Sequence, residues 1–215
     1  MSLYAKAAKN IKSKKFSATN LLCYSEFVLQ EGTDLYKVNE AEDIDIFYEL
    51  REDIEKISLA HYFCELLLSC ITEVSDTEEI LRLTLNSLYY LCKGEKNIYL
   101  IKSVLELKLM CSIGFLPSLV CCSKCNEFEN GNMYFNITEG TILCEECLDD
   151  YSLIKLSSSA LASLRHITYS DFNKLFNFTA SDKTLREVSS ITEKYVISKI
   201  ETNFKTLNYF NSIRI

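Results

Sequence analysis

Four of the ten cysteines in this 215-residue chain stand in two Cys-x-x-Cys pairs, Cys122/Cys125 and Cys144/Cys147, with 18 residues between the pairs. That spacing suits a zinc ion. A two-residue spacer lets one tight turn aim both sulfurs of a pair at one point, and the chain between the pairs returns the second knuckle to complete a tetrahedron with Zn–S near 2.3 Å. With four protein sulfurs in place no corner is left for water or substrate, so one structural zinc per chain is expected. Cys121 adjoins the first knuckle and competes with Cys122 on paper; the regular spacing favours Cys122. Two disulfides or a redox pair are the alternatives. The scattered Cys23, Cys64, Cys70, Cys92 and Cys111 read as reduced core thiols, which points to the cytoplasm.

The second chemical feature is charge. Residues 1–30 carry Lys6, Lys9, Lys12, Lys14 and Lys15 against the single carboxylate Glu26, whereas the whole chain has net charge −7, so the remainder carries −11. A lysine run at the amino end is either a solvated tail or a contact surface for a polyanion. Catalysis finds little support. The chain has no glycine-rich phosphate loop and no Gly-x-Ser-x-Gly, and it has two histidines, His61 and His166. A non-enzyme without a small-molecule substrate is expected, and the acceptor patterns at Asn136 and Asn177 read as chance.

Several elements must position these groups. With 48% hydrophobic residues, five glycines and one proline, the chain should form long helices. No apolar run is long enough to span a bilayer. A small β element is expected first: Leu3 to Ala8, the lysine loop Lys9 to Lys15, Leu21 to Gln30 with two-residue alternation, a turn at Glu31 to Asp34, and a return over Leu35 to Val38. From Ile44 the period lengthens, and Phe47, Leu50, Ile54, Ile57, His61, Cys64, Leu68 and Ile71 mark the buried stripe of a first helix, with His61 a core histidine. Ser75 and Glu78 form a capping box for a second helix with Leu81, Leu85, Leu88 and Cys92 inward, ending at Gly94. A third runs from Asn97 through Ile101, Leu105 and Leu109 to Gly114. Between the knuckles Met133, Phe135 and Ile137 alternate toward a turn at Gly140. Ser157 to His166 forms a short helix. A long closing helix from Ser181 buries Leu185, Val188, Ile191 and Tyr195. The fold class is α+β, mainly α.

This order of parts resembles the RecO family of bacterial recombination mediators. Ser2 to Lys9 with Lys14-Lys15-Phe16 is similar to the strand and basic loop of that family's oligonucleotide-binding (OB) domain. Leu50-Arg51-Glu52-Asp53-Ile54 is similar to the entry of its first helix. The two knuckles match its zinc-bearing members, Leu156 to Leu164 resembles the helix after the zinc, and Leu207 to Phe210 resembles the family's closing segment. The resemblance implies a partial OB-like region at residues 1–41 and a helical domain at 42–215 with the zinc module at 119–150. It further implies binding and annealing of single- and double-stranded DNA, and help in loading RecA on strands coated by single-strand-binding protein, with RecR and single-strand-binding protein as partners near the nucleoid. Lys6, Lys9, Lys12, Lys14 and Lys15 are then the expected DNA contacts, and Tyr4 and Phe16 are stacking or core residues. The family usually opens with two further strands, so the barrel of this chain would be incomplete. A zinc-stabilised interaction scaffold without DNA contact is the alternative function.

Overall fold

The computed structural model describes residues 3–13, 15–32, 35–71, 77–129, 131–148 and 153–214. They divide into two compact units, 1–53 and 54–215.

The first unit holds β1 (Leu3–Tyr4), a short helix α1 (Lys15–Ala18), β2 (Tyr24–Gln30) and β3 (Tyr36–Asp45). The sheet order is β1-β3-β2, with β1 parallel to β3 and β2 antiparallel to it, from Tyr24 opposite Asp45 to Gln30 opposite Lys37. Among the described residues these three strands form an open sheet, short of the five strands of an OB barrel. Two expectations are corrected here. The first strand ends at Tyr4, because residues 6–9 turn and Ala7 takes a left-handed φ of 62°. The return strand does not stop at Val38 but runs to Asp45, past the boundary expected at residue 41. Its partner β2 supplies backbone hydrogen bonds along this whole length, and cross-strand pairing overrides the poor strand propensity of Glu40 to Asp45. The Asp45 carboxylate then accepts from the Phe47 amide at 3.0 Å, and Phe47 turns left-handed into a 3₁₀ turn over Tyr48–Glu52. Thr33 and Asp34, in the expected turn, lie outside the described residues.

The second unit contains α2 (Ile54–Cys70), α3 (Thr77–Lys93), α4 (Ile98–Ser112), four short strands β4 (Ser118–Cys122), β5 (Met133–Asn136), β6 (Thr141–Cys144) and β7 (Ile154–Leu156), then α5 (Ser158–Tyr169), α6 (Asp182–Ile200) and α7 (Lys205–Ser212). Helix α4 starts where the sequence places it: the Asn97 side chain accepts from the Tyr99 amide at 2.8 Å. Every residue from Leu100 to Leu107 is buried, as befits the central helix of a bundle. Two of these residues are Lys102 and Glu106, exposed by only 1% and 0%. Their charges are met internally. Lys102 Nζ lies 2.9 Å from both Glu106 Oε1 and Glu193 Oε2, and Glu106 also accepts from Tyr62 at 2.7 Å and Thr192 at 2.6 Å. One buried polar network thereby fixes α2, α4 and α6 against one another.

Helix α2 corrects a further expectation. Its buried residues are Ser58, Leu59, Ala60, Tyr62, Phe63, Leu66 and Cys70, the face opposite the stripe through Ile54, His61 and Leu68. Both faces of α2 are apolar at helical spacing, so periodicity alone cannot choose between them. The aromatic face wins, with Tyr62 reaching Glu106 and packing edge-on against Phe204 at 5.7 Å. Of the capping box, Ser75 lies outside the described residues. In α3 Leu88 and Cys92 are buried as expected, but Leu81 is exposed and Leu83 and Leu91 take core places.

Helices α5 and α6 begin at Ser157 and Ser181, whose hydroxyls accept from the Ala160 and Thr184 amides, and α6 buries Leu185, Val188, Ile191 and Tyr195 as expected. The closing helix is nevertheless broken. Glu201 takes a left-handed φ of 52°, and α7 restarts at Lys205 so that Phe204, Leu207 and Phe210 can turn inward. Glu65 of α2 caps this last helix, accepting from the amides of Lys205 and Thr206 at 3.3 and 3.0 Å and from the Thr206 hydroxyl. Burial works against the Glu65 carboxylate, but the Thr206 hydroxyl and these amides outweigh it and lower its pKa. A lowered carboxyl contributes stability above its ordinary unfolded value and loses it as pH falls through the folded one. Replacing Glu65 by Ala should cost about 1 kcal/mol, read as faster amide exchange in α7 and a shallower loss of stability on acidification; unchanged exchange there would refute the cap.

Candidate metal centre

The zinc-knuckle segment folds as a four-stranded sheet of order β4-β6-β5-β7, in which β5 and β6 form the expected hairpin, Met133 opposite Cys144 and Asn136 opposite Thr141. Met133 and Phe135 point inward, while Ile137 already lies in the turn. Gly140 occupies that turn at φ 72°, and a side chain there would meet the Tyr195 hydroxyl at 2.8 Å, so glycine is needed twice over. Strand β4 pairs with β6 through an irregular register between Ser118 and Cys122. Leu119 and Cys122, three residues apart, would face opposite ways on a regular strand; the irregularity buries both and leaves Cys121 half-buried to one side.

The sulfurs of Cys122, Cys125, Cys144 and Cys147 all lie within 4.8 Å of one another, and Cys121 is not among them. Cys125 and Cys144 sulfurs are 3.7 Å apart, far beyond a disulfide bond of about 2.05 Å and close to the roughly 3.8 Å edge of a tetrahedron with 2.3 Å arms. The first knuckle is closed by its own backbone: Asn126 donates to the Cys122 carbonyl at 3.0 Å with a left-handed φ of 63°, Cys122 donates to the Glu127 carbonyl at 2.8 Å, and the Cys144 amide points at the Cys122 sulfur at 3.4 Å. Burial raises the Cys122 thiol, but the amides of Cys125, Cys144 and Lys124 outweigh it and bring it down to about 6. Hydrogen bonds with the Cys144 and Cys125 sulfurs push Cys147 up to about 12. One thiolate forms readily and a last proton is held tightly. A bound cation stabilises clustered thiolates together, and the residues present fit a tetrahedral metal ion.

Side chains that sequence reasoning did not single out bind this module to the bundle. Arg165 of α5 donates to the carbonyls of Leu119 (2.7 Å), Val120 (2.9 Å) and Phe128 (3.2 Å), pairs with Glu129 and stacks over Phe128 at 4.3 Å. The Tyr169 hydroxyl accepts from the Leu119 amide and donates to the Pro117 carbonyl. Lys199 of α6 donates to the Thr138 carbonyl at 2.7 Å. A signal for Arg165 does exist: it is the only permanently charged residue in the α5 sequence, and an isolated guanidinium there needs carbonyls or a carboxylate to satisfy it.

The expected DNA contacts are less uniform. Lys6, Lys9 and Lys12 are exposed on the turn between β1 and α1. Lys15 is not free, since its ammonium donates to the Val38 carbonyl at 2.6 Å and so holds α1 to the sheet. Lys14 lies outside the described residues. Tyr4 is exposed and Phe16 half-buried. The same unit is not basic as a whole: residues 1–53 contain seven Lys or Arg and ten Asp or Glu. Glu26 sits opposite Glu42 in the sheet, and both, with Glu40 and Asp43, line an open groove of about 850 Å³ beside Lys15.

Fold and site together define an α+β, mainly helical protein with a four-cysteine knuckle module built into its bundle. Residues 51–208 match the family described as "Recombination protein O C terminal". The chain is 34% identical to the DNA repair protein RecO of Acetivibrio thermocellus, over 99% of this chain and 85% of that one. It is 28% identical to the protein of the same name from Alkaliphilus metalliredigens, covering 97% of this chain and 86% of the relative, and 27% identical to that from Clostridium novyi, covering 98% and 82%. The chain belongs to the RecO family.

Proposed function

We propose that this protein is a DNA repair and recombination mediator that binds and anneals DNA and, with RecR, helps load RecA on strands coated by single-strand-binding protein. The observation that carries this reading is the match to RecO proteins along essentially the whole chain. Membership of the family supports a role in the cytoplasm at the nucleoid. Among the described residues no helix is long and apolar enough to cross a membrane. The role is one of binding rather than catalysis.

In this reading the metal is zinc, held by Cys122, Cys125, Cys144 and Cys147. Four sulfurs complete its tetrahedron, so it cross-links the two knuckles and supplies no reactive position. DNA meets the turn bearing Lys6, Lys9 and Lys12, with Lys14 and Lys15 as neighbours. Because Lys15 is committed to Val38, it contributes less than the other three.

Titrating a fluorescent single strand at increasing salt tests the surface. Affinity should fall with a log-log slope of about −0.7 per phosphate neutralised, and K6E/K9E/K12E should weaken binding and flatten the slope by about 2. Equal affinity and slope in the triple variant would refute these contacts. The carboxylates of Glu26, Glu40 and Glu42 on the same unit favour a second reading, a scaffold that engages RecR or single-strand-binding protein without touching DNA. Retention of RecR with no DNA binding even at low salt would select that alternative.

A further inference from the structure

The four knuckle sulfurs differ in their access to solvent. Cys122 and Cys144 are fully buried, Cys147 is half-buried, and Cys125, on the turn that follows β4, is exposed. Thiolate character and access together select which cysteine an oxidant attacks. A bound cation gives thiolate character to all four, so access decides, and a small oxidant meets Cys125 first. The Cys144 sulfur stands 3.7 Å from that of Cys125. A shift of less than about 2 Å would bring the pair to disulfide length. Cys122 is the poorer partner, because its sulfur receives the Cys144 amide at 3.4 Å together with the amides of Lys124 and Cys125. Those contacts favour a thiolate and would be given up on oxidation.

We propose that Cys125 is an oxidation site for hydroperoxides and Cys144 its resolving thiol, so that the knuckle module is a reversible redox switch. The Cys125 thiolate attacks one peroxide oxygen; the O–O bond breaks, hydroxide leaves and the sulfur becomes a sulfenic acid. The Cys144 thiolate then attacks that sulfur, the S–S bond forms, the S–O bond breaks and a second hydroxide leaves. Two electrons have passed from the two sulfurs to the peroxide. The disulfide still ties the first knuckle to the end of β6, but Cys122 and Cys147 alone do not complete a tetrahedron, so the metal is released. The 3₁₀ turn Glu145–Cys147 thereby loses its tether, while Arg165 and Tyr169 keep the base of β4 docked. A dithiol reductant reverses the change. The metal part of this inference rests on the zinc reading given above; the thiol pair does not.

The full chain, its zinc first counted by elemental analysis, is treated with increasing hydrogen peroxide. Released zinc is read with a chromogenic chelator, and the cysteines are mapped by mass spectrometry. One zinc should leave for each disulfide formed, the first disulfide should be Cys125–Cys144, and dithiothreitol should restore full zinc uptake. C121S should behave in the same way. Zinc retained and all four sulfurs still reduced in a large excess of peroxide would overturn the switch. A first disulfide within one knuckle, Cys122–Cys125 or Cys144–Cys147, or one that involves Cys121, would overturn the assigned pair. A chain without zinc before treatment would overturn the zinc reading alone, and its first disulfide would still decide the pair.

Discussion

Replacing Cys144 by Ser should abolish stoichiometric zinc and release the β5–β6 hairpin, while the helices stay folded. Cys144 is the ligand position with most to lose: it is fully buried, its sulfur lies 3.7 Å from that of Cys125, and its amide serves the Cys122 sulfur. Structural zinc in isolated finger peptides contributes an apparent 10–16 kcal/mol at neutral pH, enough to decide whether such a segment folds at all. Here the consequence should be local. The bundle keeps its own core in Leu59, Phe63, Leu105 and Val188, and Arg165 and Tyr169 still hold the base of β4 through backbone carbonyls and an amide. Amide exchange should thus accelerate across residues 131–148 and far less in α4 and α6. Full metal content in the variant, or loss of the entire helical signal, would show the site to have been misread.

The second large effect is expected in the core. Glu106→Ala removes the acceptor shared by Lys102, Tyr62 and Thr192 and should destabilise the second unit by about 3–5 kcal/mol, the range for breaking a buried ion pair on one side. Burial raises the Glu106 carboxyl against the pull of Lys102, Thr192 and Tyr62, so this pair is costly as well as cohesive. What the network confers is registration of α2, α4 and α6 more than net stability. Removing both charges together, in K102M/E106L, should accordingly cost less than the two single changes summed, by about 1 kcal/mol or more. Chemical denaturation measures E106A, K102M, E106L and the double change. A single-variant loss under about 1 kcal/mol, or strict additivity, would contradict the network.

Much of the site was legible because its chemistry is local. Cys-x-x-Cys is a turn and two ligands in four residues, and Gly140, Met133 and Phe135 announce the hairpin between the knuckles. What remained hidden depends on tertiary partners. Whether Cys121 or Cys122 turns inward rests on the register of β4 against β6, and Arg165 finds its carbonyls 37 to 46 residues away. Helices with one apolar face, such as α5 and α6, show their inward stripes in the sequence, although the break of the closing helix at Glu201 does not show there. Helix α2 was misread, because two apolar stripes share one helix and the network through Tyr62 decides which is buried. Strand β3 was misread for a related reason: the acids from Glu40 to Asp45 look unlike a strand until β2 lies beside them. Lys15 shows the same limit for function, since its bond to Val38 is invisible in a run of lysines.

Strand annealing is the sharpest test of whether this four-cysteine helical protein, through its lysine turn, acts on DNA strands as a mediator. Complementary single-stranded oligonucleotides, one of them labelled, should pair faster with the full zinc-loaded chain than alone. That gain should disappear at high salt and in K6E/K9E/K12E. Annealing no faster than the spontaneous rate, at protein concentrations well above those of the strands, would rule out such a mediator role.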